Sequence, residues 1–270
     1  MRKIIYAITV TALTLTVAFS AVKIFLHLSE SNKQEEIYDN LAQLVEMSAI
    51  PDQTVPPVAD SPTTDPETTI PSESIEPVIL PEYLALYEQN NDLVGWISIE
   101  DTRVNYPVVQ SLDSPNFYLT HGFDKGETDY GCPYVAEICD VNPPSDNLII
   151  YGHHKKNGSM FSDLKKYRKQ SFWENHKTFR FDTIYERQTY EVVAVFITVV
   201  YTKSPSEFKY YHFDDAETPA QFNAYIEACK ARALYDTGVT ATYGDKLITL
   251  STCEYTNKNG RLVVVAKRVD

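Results

Sequence analysis

The sequence predicts a mostly β domain, a mostly antiparallel barrel or sandwich, over the chain from residue 81 onward. The first observation is a series of seven short segments with alternating or uniformly apolar residues, separated by turn residues. They span residues 96–99, 104–109, 147–151, 178–181, 189–198, 246–252 and 261–269. The second is that only one long stretch among them, residues 218–238, has apolar residues at helical spacing. The third is an average composition typical of globular proteins, with 43% hydrophobic and 23% charged residues.

The N-terminal residues predict a membrane anchor. Arg2 and Lys3 precede an uncharged run of 19 residues, 4–22. At about 1.5 Å per helical residue, this run nearly spans a hydrocarbon core of about 30 Å. The basic pair predicts that the N-terminus stays in the cytoplasm and that the remainder lies outside the cell. A cleaved signal peptide is the alternative, because residues 18–21 loosely match a cleavage site. Apolar residues continue beyond the run, which favours an uncleaved anchor at residues 1–29.

Two further segments separate the anchor from the β domain. Residues 30–50 carry apolar side chains at helical spacing, which predicts a short amphipathic helix next to the membrane. Residues 51–80 are rich in proline, threonine, serine and acidic residues and contain no glycine or aromatic residue. Such a segment cannot bury enough apolar surface to fold, and its prolines keep it extended. We interpret it as a stalk that carries a domain at residues 81–270.

The charge of the chain excludes one class of partner. The formal net charge at pH 7 is −13, from 24 basic and 37 acidic residues. Ten acidic residues and no basic ones lie between positions 34 and 80, whereas residues 81–270 carry 20 basic and 26 acidic residues. Binding to nucleic acid phosphates needs a basic surface. Nucleic acid is therefore excluded as the main partner.

Two helices are predicted within the domain. Residues 81–87 begin with proline, which is favoured in the first turn of a helix. Thr218 to Gln221 form a capping box with proline at the first helical position. An apolar stripe follows, and Gly238 closes the segment. Cys229 lies on that stripe, so we interpret it as a core residue.

Reactive side chains end two of the apolar segments. Segment 147–151 is followed by His153 and His154, and segment 246–252 is followed by Cys253. A residue at a strand end is held rigidly while its tip faces a cleft, which is how catalytic groups are often presented. Neighbours on an extended strand point to opposite faces, so we expect only one of the two histidines to share a site with the cysteine.

An arginine follows the cysteine after a short polar loop, residues 257–260. If this loop joins a hairpin, Arg261 returns to the neighbourhood of Cys253. An unperturbed thiol has a pKa of about 8.5 and is mostly protonated at neutral pH, so a nearby imidazole would take its proton. A fixed guanidinium holds a carbonyl and stabilises an oxyanion. Spacing alone leaves a buried core cysteine as the alternative.

The other candidate groups do not predict a site. The sequence has no CxxC pair and no acidic loop with calcium-ligand spacing, so we expect no metal and no cofactor. Cys132 and Cys139 allow either a disulfide or two free thiols. The remaining histidines of the domain lack paired ligands, and we interpret them as structural or solvated: His121, His176 and His212.

Several motifs resemble one family. Residues 249–253, Thr-Leu-Ser-Thr-Cys, resemble the TLxTC signature of sortases, the cysteine transpeptidases that fix proteins to Gram-positive cell walls. The spacing from this cysteine to the next arginine is also similar. Residues 151–161, YGHHKKNGSMF, resemble the YGH…GSMF stretch of class B members, as do the shorter motifs at 95–97 and 106–110. The resemblance covers residues 81–270.

The resemblance implies an eight-stranded β-barrel with an N-terminal helix and a long helix before the cysteine strand. By matching positions, Cys253 is the implied nucleophile, His153 the acid and base, and Arg261 the residue that positions substrate and stabilises the oxyanion. The family has its catalytic histidine directly after the glycine, so the second histidine is interpreted as a surface residue. We interpret Thr252 and Ser251 as substrate-binding residues, with strand packing as the alternative.

The implied enzyme is anchored in the cell membrane by one helix, with its catalytic domain outside. It would cleave a Thr–Gly or Thr–Asn type bond in the sorting pentapeptide of a surface protein or pilin, forming a thioester. An amine would then resolve the thioester, from a cell-wall precursor such as lipid II or from a pilin lysine. Two alternatives remain: a secreted thiol peptidase that uses water, and a non-enzymatic binding module on a stalk, which would not depend on Cys253.

Overall fold

A computed structural model describes residues 2–48, 77–200 and 208–270. Their contacts divide the chain into two units, Met1–Leu41 and Ala42–Asp270, each described by itself. The predicted stalk, residues 51–80, lies outside the described residues except for its last four positions.

The N-terminal helix α1 (Arg2–Ser48) has 47 residues, so the described part of the predicted juxtamembrane helix, residues 30–48, continues the apolar segment without a break. The large apolar side chains described between Ile4 and Leu28 are exposed, and the mean hydropathy of the most apolar 18-residue window is 1.9. A helix of this length and composition can cross a membrane, and a signal sequence has the same properties. The anchor therefore stays a prediction.

Eight strands form the second unit. They are β1 (Leu93–Ser98), β2 (Asn105–Val109), β3 (Tyr134–Val135), β4 (Asn147–Tyr151), β5 (Thr178–Thr183), β6 (Thr189–Val199), β7 (Leu247–Glu254) and β8 (Gly260–Arg268). Hydrogen bonding closes them into a barrel in the order β1-β2-β3-β4-β7-β8-β6-β5. The eight-stranded barrel is thereby confirmed, and the seven predicted segments correspond to seven of its strands. The two-residue strand β3 was not predicted, because it is too short to show a periodic pattern.

The barrel is mostly antiparallel, as predicted, but two of its eight strand pairs are parallel. The β2–β3 and β4–β7 pairs are parallel, and the others are antiparallel. Parallel strands are buried on both faces and therefore have uniformly apolar sequences. β4 and β7 are buried at nearly every residue, but β7 includes Thr249, Ser251 and Thr252, and the longest apolar runs of the domain lie in the antiparallel strands β6 and β8.

Among the residues that the structure describes, three α-helices accompany the barrel: α2 (Pro81–Gln89), α3 (Gln170–Asn175) and α4 (Pro219–Lys230). Helix α4 begins as predicted, with the Thr218 hydroxyl accepting a hydrogen bond from the Gln221 N–H at 3.3 Å. It ends eight residues before Gly238, so the predicted long helix is shorter than expected. The chain leaves the helix because the N–H of Leu234 instead donates to the Val195 carbonyl of β6 at 2.8 Å.

The apolar side of α4 packs against β6, β7 and β8. Phe222 and Ile226 of the helix lie in one buried cluster with Phe196 and Val263 of the strands. Cys229 belongs to the same cluster and is fully buried, and this burial raises its pKa to about 12. The prediction that Cys229 is a core residue is confirmed.

Candidate active site

The parallel pairing of β4 with β7 brings the two predicted reactive side chains to neighbouring strand ends. The last register pair is Tyr151 with Ser251, and the Gly152 N–H donates to the Ser251 carbonyl at 3.1 Å. His153 lies two residues after Tyr151, and Cys253 lies two residues after Ser251. Both side chains line the same cavity.

Arg261 lies opposite Cys253 in the antiparallel pair of β7 with β8, so the predicted hairpin is confirmed. At the other end of the two strands, the Arg268 N–H donates to the Lys246 carbonyl at 2.8 Å, so these two residues are a hydrogen-bonded pair. Hydrogen-bonded and non-hydrogen-bonded pairs alternate along an antiparallel ladder, and Cys253–Arg261, seven positions away, is therefore a non-hydrogen-bonded pair. Side chains in such pairs are close together, with Cβ atoms about 4.5–5.5 Å apart. The Arg261 Nη1 donates to the carbonyl of Gly260 at 2.9 Å.

A cavity of about 340 Å³ is lined by Cys253, His153 and Arg261 and also by Thr252 and Ser251. Its wall is largely aromatic and apolar. The wall includes six residues for which the sequence pattern gave no sign of a site: Asn116, Leu119, Tyr134, Tyr151, Tyr210 and Tyr211. An apolar wall with a few polar groups at defined positions is typical of a site that binds an organic ligand.

The ring of His153 is held by the loop before β3. Its Nε2 lies 2.7 Å from the carbonyl oxygen of Leu119. A carbonyl only accepts, so Nε2 carries the hydrogen, and in the neutral ring Nδ1 is the basic nitrogen. Burial lowers the pKa of His153, and the charge of Lys155 acts in the same direction, whereas the Leu119 bond and Asp129 oppose the shift. The imidazole is therefore neutral at pH 7.

Two glycines permit the close packing around His153. Gly131 has a φ of +62°, and a Cβ there would lie 2.5 Å from the Tyr118 carbonyl oxygen and 3.1 Å from the Cδ2 of His153. A Cβ at Gly152 would lie 2.5 Å from the ring of Phe161, which is buried. The Phe161 N–H donates to the His153 carbonyl at 2.9 Å. The first and last parts of the YGH…GSMF stretch thus meet around the histidine.

Thr252 and Ser251 line the cavity, but their hydroxyls have partners within the protein. The Thr252 hydroxyl donates to the Gly152 carbonyl at 2.7 Å. The Ser251 hydroxyl lies 2.7 Å from the hydroxyl of Tyr210. Both residues are buried, with 2% and 1% exposure. These contacts agree with the strand-packing alternative, and the role of the two residues in substrate binding stays a prediction.

All four cysteines are free thiols, so the open question about a disulfide is answered for this structure. The Sγ of Cys132 lies 3.7 Å from the Pro107 carbonyl oxygen, and the Sγ of Cys139 lies 3.3 Å from that of Asn147. Burial raises the pKa of Cys139 to about 12. Cys253 differs from the other three, because it is the only one of these thiols that is not fully buried.

The interpretation of His154 as a surface residue is wrong. Its ring is half-buried, and its Nδ1 lies 2.9 Å from the carbonyl oxygen of Cys253. Only one of the two histidines shares the cavity with Cys253, as the opposite-face rule predicts: His153 lines the cavity, and His154 is not among its lining residues. His154 instead forms an isolated bridge with Met160.

The three remaining domain histidines were interpreted as structural or solvated, and two of them have structural contacts. His121 stacks on Phe117 and His176 stacks on Phe172, each with a ring nitrogen near a backbone carbonyl oxygen. His212 is exposed and lines the cavity. Within residues 2–48, 77–200 and 208–270, no three His, Cys, Asp or Glu side chains converge as metal ligands.

Glu254, next to Cys253, supports the hairpin and not the cavity. Its side chain is almost fully buried and pairs with Arg168 at 3.2 Å. The same carboxylate accepts hydrogen bonds from the backbone N–H and the hydroxyl of Thr256. Glu254 thereby fixes the start of the turn that returns the chain to Arg261.

A closed barrel that gathers an accessible thiol, a neutral imidazole and a guanidinium around one cavity has the components of a cysteine-dependent acyl-transfer enzyme. The comparisons with known proteins agree. The family described as the sortase domain matches residues 97–269. The chain therefore belongs to the sortase family, whose members are cysteine transpeptidases, and the relatives that it matches are of class B.

Sortase B of Listeria monocytogenes is 35% identical over 187 residues, which cover 68% of this chain and 72% of that protein. Sortase B of Staphylococcus aureus is 32% identical over 191 residues, covering 70% and 75%. Among solved structures, the Staphylococcus aureus sortase B–substrate complex superposes with a TM-score of 0.72 at 27% identity. It covers 90% of this chain and 99% of that one.

Proposed function

We propose that the protein is a membrane-anchored transpeptidase that cleaves a sorting signal and transfers the cleaved protein to an amine. The observation that carries this proposal is the meeting of Cys253, His153 and Arg261 at one cavity of a sortase barrel. Sortases of class B act on surface proteins with sorting signals, and one relative has been solved in complex with its substrate. The cavity of about 340 Å³ is of a size that accommodates part of a peptide.

The reaction has two halves in this proposal. His153 accepts the thiol proton as the sulfur of Cys253 attacks the carbonyl carbon of the scissile peptide bond. The tetrahedral intermediate collapses when His153 returns the proton to the leaving amine, which leaves a thioester on Cys253. An acceptor amine then attacks the thioester, His153 takes the proton of that amine, and the thiol is regenerated as the new amide forms.

Arg261 stabilises the negative charge that develops on the carbonyl oxygen. Its guanidinium carries five N–H donors, so the bond to the Gly260 carbonyl leaves donors for a substrate oxygen. The position opposite Cys253 puts those donors close to the carbon that the sulfur attacks. We assign Thr252 and Ser251 to the floor beneath the substrate, where they fix the strand that carries Cys253.

The substrate and acceptor follow from the resemblance to class B sortases. We propose a surface protein or pilin that carries a pentapeptide with a Thr–Gly or Thr–Asn type bond. The acceptor is an amine of a cell-wall precursor such as lipid II, or a pilin lysine. A thiol peptidase that releases the product to water would use the same three residues, and the acceptor alone separates the two functions.

The test is to incubate the full chain, in detergent micelles, with a library of fluorogenic pentapeptides, with and without triglycine or a lysine derivative as amine. We expect cleavage of peptides with Thr–Gly or Thr–Asn bonds and, by mass spectrometry, a new amide to the added amine. Hydrolysis that is unaffected by any amine would instead identify a peptidase. No cleavage of any peptide would contradict the proposed reaction.

The acid limb of the pH–rate profile is expected to report His153. Because burial lowers the pKa of His153, the neutral imidazole persists below the usual value of about 6.5. Activity should therefore fall only as the pH drops below about 6.5, and the limb should disappear in His153→Ala. Initial rates from about pH 4.5 to pH 8 on one peptide measure this. A limb with its midpoint above 6.5, or one that persists in His153→Ala, would contradict the assignment of His153.

Gly131→Ala is expected to lower kcat on the order of 10²-fold. The added Cβ would collide with the Tyr118 carbonyl and push against the ring of His153, and small displacements of a catalytic group have effects of this size. Gly238→Ala is the matched control, since its φ of +68° imposes similar backbone strain but a Cβ there meets nothing within 4 Å. Equal losses of activity in the two variants would show that strain alone is responsible.

The N-terminal segment is expected to remain on the mature protein as its anchor. The basic pair and the apolar run of 19 residues predict retention and fractionation with membranes. Intact mass of protein extracted from membranes measures this directly, and a variant that lacks residues 2–29 should move to the soluble fraction. A mature chain that begins near residue 21 or 22 would identify a signal peptide instead.

A further inference from the structure

Three hydrogen bonds join the chain on either side of His153 to the chain on either side of Cys253. The Thr252 hydroxyl donates to the Gly152 carbonyl at 2.7 Å. The His154 Nδ1 lies 2.9 Å from the Cys253 carbonyl oxygen, and the Tyr255 hydroxyl donates to the His154 carbonyl at 2.7 Å. The rings of His154 and Tyr255 are also in contact, with centroids 5.1 Å apart.

These bonds begin where the regular sheet ends. The last register pair of β4 and β7 is Tyr151 with Ser251, yet β7 continues to Glu254. Backbone groups of a half-buried strand need partners, because an unpaired one costs free energy comparable to a lost hydrogen bond. The ring of His154 supplies a donor to the Cys253 carbonyl where the β4 backbone no longer does.

The role of the His154 ring does not depend on its charge. A carbonyl oxygen only accepts, so Nδ1 must carry a hydrogen in this contact. Both the Nδ1–H form of the neutral ring and the imidazolium have that hydrogen. The bond to the Cys253 carbonyl therefore needs only a hydrogen on Nδ1 and not a charged ring.

His153 lies between two residues whose carbonyls are held by side chains that flank Cys253 along the chain. The carbonyl of Gly152 is held by Thr252, and that of His154 is held by Tyr255. We propose that His154 and Tyr255 are positioning residues that fix the imidazole of His153 relative to the thiol of Cys253. This inference rests on the roles proposed above for His153 and Cys253.

The test measures the reactivity of Cys253, so it needs no knowledge of the sorting peptide. The full chain in detergent is treated with iodoacetamide between about pH 6 and pH 10, and label at Cys253 is quantified by peptide mass spectrometry. His154→Ala should slow labelling at pH 7 by about 10-fold or more, because a displaced base takes the thiol proton less effectively. The deficit should vanish near pH 10, where a thiol ionises without a base.

Two variants make the comparison specific. His154→Asn should restore labelling, because its amide nitrogen occupies nearly the position of the imidazole Nδ1 and donates to the same carbonyl. His176→Ala should label like the wild type, although it also removes a ring whose Nδ1 lies 2.9 Å from a backbone carbonyl, that of Phe172. With an assigned peptide, kcat should follow the labelling rate while KM stays nearly constant.

Wild-type labelling in His154→Ala, or equal deficits in His154→Ala and His154→Asn, would overturn the proposal. So would a deficit that is the same at every pH, since it would reflect altered access to the thiol. If His154→Ala lowers the unfolding temperature markedly, Tyr255→Phe provides the test instead, because Tyr255 is exposed and its substitution should not affect folding. We expect this variant to be labelled about fivefold more slowly than the wild type, and labelling at the wild-type rate would overturn the proposal. Retained transfer activity in Cys253→Ala would refute the proposed function instead, whatever the His154 variants show.

Discussion

Cys253→Ala should lose cleavage and transfer together, by a factor on the order of 10⁴ or more. Without the sulfur no thioester forms, and neither the imidazole nor the guanidinium replaces the nucleophile. The side chain is half-buried at the cavity surface, so its truncation should leave the barrel folded. The purified variant is assayed for peptide cleavage and for amide formation, and its thermal unfolding temperature shows whether the barrel stays folded.

The matched control is Cys132→Ala, which removes another thiol that lines the same cavity but is buried. We expect this variant to keep most of its activity, because alanine replaces a small, buried thiol to which the proposed reaction assigns no role. Iodoacetamide should also modify Cys253 well before Cys229, whose burial raises its pKa to about 12. Transfer activity that survives in Cys253→Ala would refute the mechanism and favour a binding module.

The three central residues differ in how far the sequence predicts their meeting. Cys253 and Arg261 flank one short polar loop, so the β pattern on both sides predicts a hairpin and hence their approach. His153 lies about 100 residues earlier, and its approach depends on the parallel β4–β7 pairing. The position of both residues at strand ends suggested their meeting, but no local pattern encodes which distant strands pair in parallel, so the resemblance to sortases carried most of that expectation.

The supports of the site were not predictable, for two physical reasons. Leu119 and Gly131 come from loops, where neither periodicity nor composition indicates which backbone atoms meet a distant ring. His154 was misassigned because strand alternation predicts only that its side chain leaves the cavity face, not that its ring meets the Cys253 carbonyl. Capping signals were more reliable for the start of α4 at Thr218 than for its end, which is set by a tertiary bond to Val195.

Arg261→Lys should lower the transfer rate on the order of 10²-fold, the scale for losing one oxyanion donor. Lysine keeps the positive charge but lacks the planar fork of donors that holds a carbonyl oxygen. Arginine stays charged at any working pH, so the residue does not titrate with the reaction. The pH optimum of Arg261→Lys should therefore equal that of the wild type, because Cys253 and His153 are intact in both. The pH–rate profiles of the variant and the wild type on one peptide measure this.

The two other substitutions on β8 separate the possible roles of this arginine. Arg268→Lys is the matched control, because Arg268 lies at the opposite end of the same strand and pairs with Glu186. It should retain nearly full activity, whereas Arg261→Ala should lose more than Arg261→Lys, since it removes the charge as well as the fork. Near wild-type rates in Arg261→Lys would mean that charge alone suffices. Near wild-type rates in Arg261→Ala would mean that Arg261 only supports the hairpin and that another donor stabilises the oxyanion.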